Sequence, residues 1–389
     1  MRLGAGRDHA TLVNTLPWRP REPHSMKLSS RDRVMVLAPH PDDETLGAGG
    51  LLQRAAACDA ASRIVFVTDG DDNPWPQRVV ERRLRIDADA RARWGARRRA
   101  EGYAALDALG VPRDRAVFLG YPDQGLTGLL VHAPSEMIAR LRAEITTWRP
   151  TIIVMPSLRD RHPDHNALAV LTLEALATLA ADERPLTLTY VVHPFSMMLF
   201  HDGFCLHLTP HEQERKRLAI ERHATQLLFR RWSYRSAASP VESLATVATP
   251  LRPGVRATLE SAVVDGTMLR IRLATRFLLR PALLRVVGWT TAARHFALLA
   301  KLSPGRRTAV VYDGRSRAVF GSVRRYGVAG GLAIDVPLSS ASIGRCFVKL
   351  TMRSLFFDTD GWIEAVVEPR DRATGCLYGV IRDGMVATR

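Results

Sequence analysis

At 389 residues and 46% hydrophobic content the chain is long enough for two domains and one sizeable core, which argues for a globular protein. No apolar run approaches the roughly 20 residues that span a bilayer, the N-terminus lacks a signal-peptide core, and four scattered cysteines (58, 205, 346 and 376) form no CxxC pair, so the expectation is a cytoplasmic protein without a zinc knuckle or disulfide framework. The net charge of +16 suggests an acidic partner, and residues 251–325 carry +12 of it while 326–389 net zero.

Residues 1 to about 30 show no periodicity and carry Pro17, Pro20 and Pro23, so they read as an N-terminal extension without chemistry. Val34 to Ala38 is a short continuous apolar run, expected as a strand covered on both faces. It stops at His40-Pro-Asp-Asp-Glu44, whose acids suit the first turn of a helix through Leu51 and Leu52. Arg63 to Thr68 repeats the pattern and ends in the acidic turn Asp69 to Asp72. The Arg-rich segment up to Trp94 is expected as a helix with a solvated basic face or part of a lid. A helix from Ala96 is closed by Gly110 with Pro112 beyond it, followed by a strand from Ala116 and a loop carrying Asp123. A helix over 135–148 leads to the strand Thr151 to Pro156 and the polar loop Ser157 to Asn166. A helix over 166–181, a strand over 186–192 and a helix over 210–229 then complete a domain spanning 31–235.

Strands alternating with helices predict an α/β fold with a Rossmann-like, mostly parallel sheet, flanking helices and the polar loops on one edge. After Pro240 the pattern becomes period-two alternation, with Asp-Gly pairs at 265, 313, 360 and 383 as turn signals. Residues 245–389 are therefore expected as a basic, mainly antiparallel β domain. Within it Thr275 to Leu302 reads as an amphipathic helix interrupted by Pro281. Its mixture of Arg276 and Arg280 with Phe277, Leu278, Leu279 and Trp289 suggests contact of 251–325 with an anionic membrane or lipid-linked substrate, peripheral at the membrane; a helix packed on the β domain is the alternative.

His40, Asp43 and His165 make two imidazoles and a carboxylate, a set suited to zinc with an open position for water if strands 34–38 and 152–155 are neighbours. Other divalent ions accept the same ligands. Asp42 is then the candidate general base and His162 the acid or charge stabiliser. Acids at 42–44 alone would be explained as a helix cap, but His40 between two prolines and a second polar motif at 162–165, both at strand ends, favour a site. His193, His201, His207 and His211 fit no metal spacing and read as surface or locally bonded.

Ala38-Pro-His-Pro-Asp-Asp-Glu44 and His162-Pro-Asp-His165, with Arg98-Arg-Ala-Glu101, Gly120-Tyr-Pro-Asp123 and His223-Ala-Thr-Gln226 in that order, resemble the PIG-L/LmbE family of zinc-dependent N-acetylglucosaminyl deacetylases. The resemblance covers about 31–235, and Thr225 stands where the family usually has Ser. It implies zinc at His40, Asp43 and His165, a base at Asp42, an acid or oxyanion-stabilising His162 oriented by Asp164, and sugar contacts from Arg98 and Asp123. The function expected is removal of an N-acetyl or other acyl group from an amino sugar or glycoconjugate. The alternatives are an amidase acting on a thiol-sugar or non-sugar amide, and a non-catalytic binder of an anionic glycan, lipid surface or nucleic acid. Nucleic acid is the least favoured partner, and the sequence is silent on oligomeric state.

Overall fold

The computed structural model describes residues 26–194, 203–247, 257–274, 278, 280–339, 342–352 and 357–368. Most of the expected N-terminal extension, with Phe277, Leu279 and the Asp-Gly pair at 383, lies outside these residues. Five strands run parallel to their neighbours: β1 (Arg33–Ala38), β2 (Ala61–Thr68), β3 (Ala116–Tyr121), β4 (Ile152–Pro156) and β5 (Leu186–Tyr190). β6 (Phe204–His207) and β7 (Val241–Thr246) complete a seven-stranded sheet in the order β3-β2-β1-β4-β5-β7-β6, with β7 antiparallel to both β5 and β6. The strands are continuous apolar runs because both faces are covered. Val34, Val36 and Ala38 face one core with Ile64, Phe66 and Val154, while Met35 and Leu37 face another with Val65, Val67, Ile153 and Met155.

The helices are α1 (Asp43–Ala57), α2 (Pro74–Glu81), α3 (Ala88–Leu109), α4 (Leu126–His132), α5 (Ser135–Trp148), α6 (Pro163–Ala177), α7 (Pro210–Arg222) and α8 (Ala224–Arg235). Several boundaries differ from expectation, among them the start of α3, at Ala88 rather than Ala96. The single helix expected over 210–229 breaks at His223, which caps α7; α6 starts at Pro163 with His162 as its N-cap; and β7 extends the first sheet past the boundary expected near 235.

The remaining strands are β8 (Leu259–Asp265), β9 (Met268–Leu273), β10 (Ala282–Thr290), β11 (His295–Leu302), β12 (Thr308–Asp313), β13 (Val319–Val328), β14 (Gly331–Pro337), β15 (Ile343–Met352), β16 (Ile363–Glu364) and β17 (Val366–Val367). They form a ten-stranded sheet that is antiparallel except where β17 joins β8. The amphipathic helix expected over 275–302 is a correction: Ala282 to Leu302 is the β10–β11 hairpin, paired from Ala282↔Leu302 to Trp289↔His295. Leu278 is buried and Trp289 packs in the protein core, so these two of the apolar side chains assigned to a lipid surface are used internally. A short apolar run buried on both faces mimics helical spacing, so periodicity alone does not separate strand from helix there. No helix among the described residues is long and apolar enough to cross a membrane.

The two sheets share a core. Val287, Trp289, Ala297, Phe347 and Trp362 of the β domain pack with Leu126, Leu130, Ala167 and Leu171 of α4 and α6. Polar ties lock the same face: Arg345 pairs with Glu174 at 3.0 Å, Lys349 Nζ donates to Asn166 Oδ1 at 2.8 Å, and Arg159 pairs with Asp360 at 3.1 Å.

Candidate metal centre and active site

Because Val36 pairs with Val154, the loops after β1 and β4 leave the sheet side by side. Pro39 carbonyl accepts from Thr68 N–H and Oγ1 at 2.9 Å, fixing the first loop to β2. Asp42, the N-cap of α1, holds φ at 147°, a conformation that costs a non-glycine residue about 1–3 kcal/mol and that the surrounding contacts must enforce. His40 N–H donates to Asp43 Oδ2 at 3.0 Å, and Asp42 N–H donates to Glu44 Oε2 at 2.9 Å.

Two imidazoles converge on one carboxylate oxygen. His40 Nδ1 and His165 Nε2 each lie 3.1 Å from Asp43 Oδ2. His165 Nε2 is buried and makes no properly aligned hydrogen bond, a buried nitrogen left to meet a cation beside the Asp43 carboxylate. The far nitrogen of each ring faces another acid: His40 Nε2 lies 3.1 Å from Asp123 Oδ1, and His165 Nδ1 lies 3.2 Å from Asp160 Oδ2. A carboxylate behind each imidazole is the arrangement that orients a histidine ligand and raises its basicity. Donor atoms of His40, His162 and His165, and of Asp43, His165 and His193, also cluster within 4.8 Å, so the ion's surroundings are rich in further imidazoles. This donor set fits a divalent cation of the zinc type.

Electrostatics agree with that fit. Burial opposes ionisation of Asp43, but the adjacent His165 and His40 rings outweigh it and hold the carboxyl well below its ordinary value. Burial opposes a charge on His165, yet Asp43 and Asp160 raise it to about 10. The same anionic surroundings that draw a proton to the ring attract a metal cation in its place. Asp123 is lowered to about 2, burial opposing and His40 then Arg98 prevailing.

Asp42 sits beside this centre, buried, with its Oδ2 accepting from Tyr234 O–H at 2.7 Å and from Arg98 at 3.1 Å. Burial raises its pKa and Arg98 restrains the rise. His162 caps α6, its Nδ1 accepting from Asp164 N–H at 3.2 Å. That bond assigns the remaining proton of the neutral ring to Nε2. Burial and the surrounding His40, His165 and His193 rings keep His162 well below its ordinary pKa, hence neutral. His40, Asp42, Asp43, His162, Arg98, Asp123, His193 and Tyr234 all line a cavity of about 500 Å³.

Asp164, Arg98 and Asp123 are each held by neighbouring protein groups. Asp164 orients His162 through its main-chain N–H; its carboxylate instead accepts from Gln124 and Leu126 N–H at 2.6 and 3.1 Å and lies 3.4 Å from His40 Nε2. Arg98, 3% exposed, lines the cavity and donates to Asp42, Pro41 carbonyl and Gly70 carbonyl. Asp123 is likewise engaged, by His40 and by Asp72 N–H.

Residues 35–176 match the PIG-L family profile, described as GlcNAc-PI de-N-acetylase. Over 175 residues the chain is 32% identical to a 1D-myo-inositol 2-acetamido-2-deoxy-alpha-D-glucopyranoside deacetylase of Actinosynnema mirum, covering 41% of this chain and 60% of that one. A protein of the same description from Rhodococcus jostii is 30% identical over 170 residues, covering 40% and 57%. Among solved structures, the N,N'-diacetylchitobiose deacetylase from Pyrococcus horikoshii is 19% identical with a TM-score of 0.40, covering 57% of this chain and 84% of that one. The alignments thus span little more than half the length of these curated relatives.

Several site residues lie beyond the PIG-L match or escaped the sequence reading. Tyr234 and His193 reach the cavity from after residue 176, and neither carries a motif. Asp160 anchors the second motif: its Oδ1 accepts from His162 N–H at 2.9 Å and its Oδ2 from Val192 and His193 N–H at 2.8 and 3.1 Å. Its place between a strand end and the His162 motif was the signal available. The accessory matches tie the α/β domain together from outside the site. His223 lies 3.4 Å from Glu44, and Thr225 donates from N–H and Oγ1 to Glu101 at 3.0 and 2.5 Å, so the hydroxyl that serine would supply is present.

Proposed function

We propose that the chain is a divalent-metal-dependent N-deacetylase, with zinc as the resident ion, acting on an N-acylated amino sugar or glycoconjugate. The observation that carries this reading is the convergence of His40 Nδ1 and His165 Nε2 on Asp43 Oδ2, at 3.1 Å each, with Asp42 alongside at a cavity. The acetamido sugar named for the curated relatives supports the substrate class.

His40, Asp43 and His165 would hold the ion, which when bound polarises an amide carbonyl and acidifies water. Asp42 takes the proton of the attacking water: Tyr234 and Arg98 both bond its Oδ2, leaving Oδ1 for that transfer. The same carboxyl then returns the proton to the departing amine. His162 Nε2–H donates toward the amide oxygen as it gains negative charge, a stabilisation that one donor commonly supplies at about 10²–10³ in rate. Asp123 and Asp160 hold the two liganding rings in place.

Asp42→Ala tests the division of labour. Metal content of the purified variant should match the wild type while acetate release falls by at least about 10²-fold. Unchanged turnover would remove Asp42 from proton transfer, and loss of metal would make it a ligand.

A further inference from the structure

One wall of the cavity comes from outside the α/β domain. Phe357, in the loop after β15, lines it with its ring centroid 5.0 Å from His193 and 6.0 Å from His162. The loop is fastened to the segment that carries the second motif. Asp358 N–H donates to Arg161 carbonyl at 2.9 Å, and Arg161 Nε donates back to Asp358 carbonyl at 3.0 Å. Asn166 Nδ2 donates to the Asp358 carboxylate at 3.1 Å, Lys349 pairs with that carboxylate, and Arg159 pairs with Asp360 at 3.1 Å. Trp362 N–H donates to Leu158 carbonyl at 2.8 Å, and at Gly361 a Cβ would collide with the same carbonyl.

Within this fastened segment Asp358, Asp360 and Trp362 are buried, whereas Phe357 is only half-buried and turns to the cavity. Trp75, 54% exposed, also lines the cavity, between Pro74 and Pro76 at the start of α2. Amide hydrolysis uses neither aromatic ring, and apolar side chains left partly or largely open at a cavity containing convergent polar groups are what a ligand's apolar part requires. We propose that Phe357, delivered by the β domain, and Trp75 form an apolar subsite that binds an alkyl or aryl group of the substrate. This rests on the deacetylase reading for its reaction but not for its binding.

Such a group can be carried at the anomeric position or as the acyl chain, and the probes separate the two: N-acetylglucosamine, octyl N-acetylglucosaminide and N-octanoylglucosamine. For the metal-loaded wild type, at least one octyl compound should show kcat/KM tenfold or more above N-acetylglucosamine. Phe357→Ala should cut that value at least tenfold, mainly through KM, change N-acetylglucosamine less than threefold, and be rescued by Phe357→Trp. Calorimetric binding of the three compounds to the Asp42→Asn protein supplies a readout without turnover, in which Phe357→Ala should remove the octyl preference. Equal losses on all three compounds, or no octyl preference in either assay, would overturn the subsite. Absence of turnover on every compound with the binding preference intact would overturn the deacetylase reading and leave the subsite standing.

Discussion

Asp160 carries no role in the pairing of the two motifs, yet its carboxylate is turned to the candidate metal ligand His165. Its carboxylate meets His165 Nδ1 at 3.2 Å and three main-chain N–H groups, and with burial opposing, His165 and His193 hold its pKa well below the ordinary value. Asp160→Asn should therefore weaken zinc binding by about 10–100-fold in a chelator-competition titration, with the protein still folded. Unchanged affinity would show that His165 is oriented by packing alone. At this scale the sequence exposed residues that sit next to a strand end in a compact polar motif, namely His40, Asp42, Asp43, His162 and His165. It concealed those whose role is set by a partner distant in the chain. Tyr234 is 192 positions from Asp42 and lies in a helix whose residues look ordinary. Arg98 and Asp123 were visible as positions but not as partners, because nothing local reveals that they pair with Asp42 and His40.

Strands β1, β2 and β4 were legible because a parallel sheet covered on both faces leaves a continuous apolar run bounded by polar turns. The same signature failed over 275–302. There β10 is also covered on both faces, with Ala282, Leu284 and Val286 in the β-domain core and Val287 and Trp289 in the shared one. The packing of β10 and β15 against α6 creates a titrating contact. Burial raises Glu174 to about 7, Arg345 opposing and Glu364 adding to the rise. A carboxyl whose folded pKa is raised contributes stability that is complete below its ordinary value near 4.5 and is lost as pH climbs through about 7. Glu174→Gln should accordingly flatten the fall of Tm between pH 5 and pH 8 and make the variant relatively more stable at the alkaline end. A Tm profile parallel to that of the wild type would place the titration elsewhere.

Across the whole molecule the two sheets are joined by a common core, so they should unfold together. Trp362, fully buried between α6 and the β domain, anchors that joint. Trp362→Ala should cost about 3–5 kcal/mol in chemical denaturation, and near-UV and far-UV signals should shift by the same amount. Two separated transitions would contradict a shared core. The charge that drew attention to 251–325 is partly a property of strand faces: Arg270 and Arg272 alternate outward along β9 and pair with Asp335 and Glu260. Composition could register that excess but not its distribution over a sheet.

The central claim, a metal-dependent N-deacetylase centred on His40, Asp43 and His165, is tested most directly by mass spectrometry of N-acetylated sugars, with and without lipid or phosphate aglycones, incubated with the zinc-loaded protein. The account predicts loss of the acetyl mass from at least one amino sugar, abolished by chelation and restored by added zinc. Intact acetyl groups on every sugar in the panel, or loss that persists after the metal is removed, would contradict it.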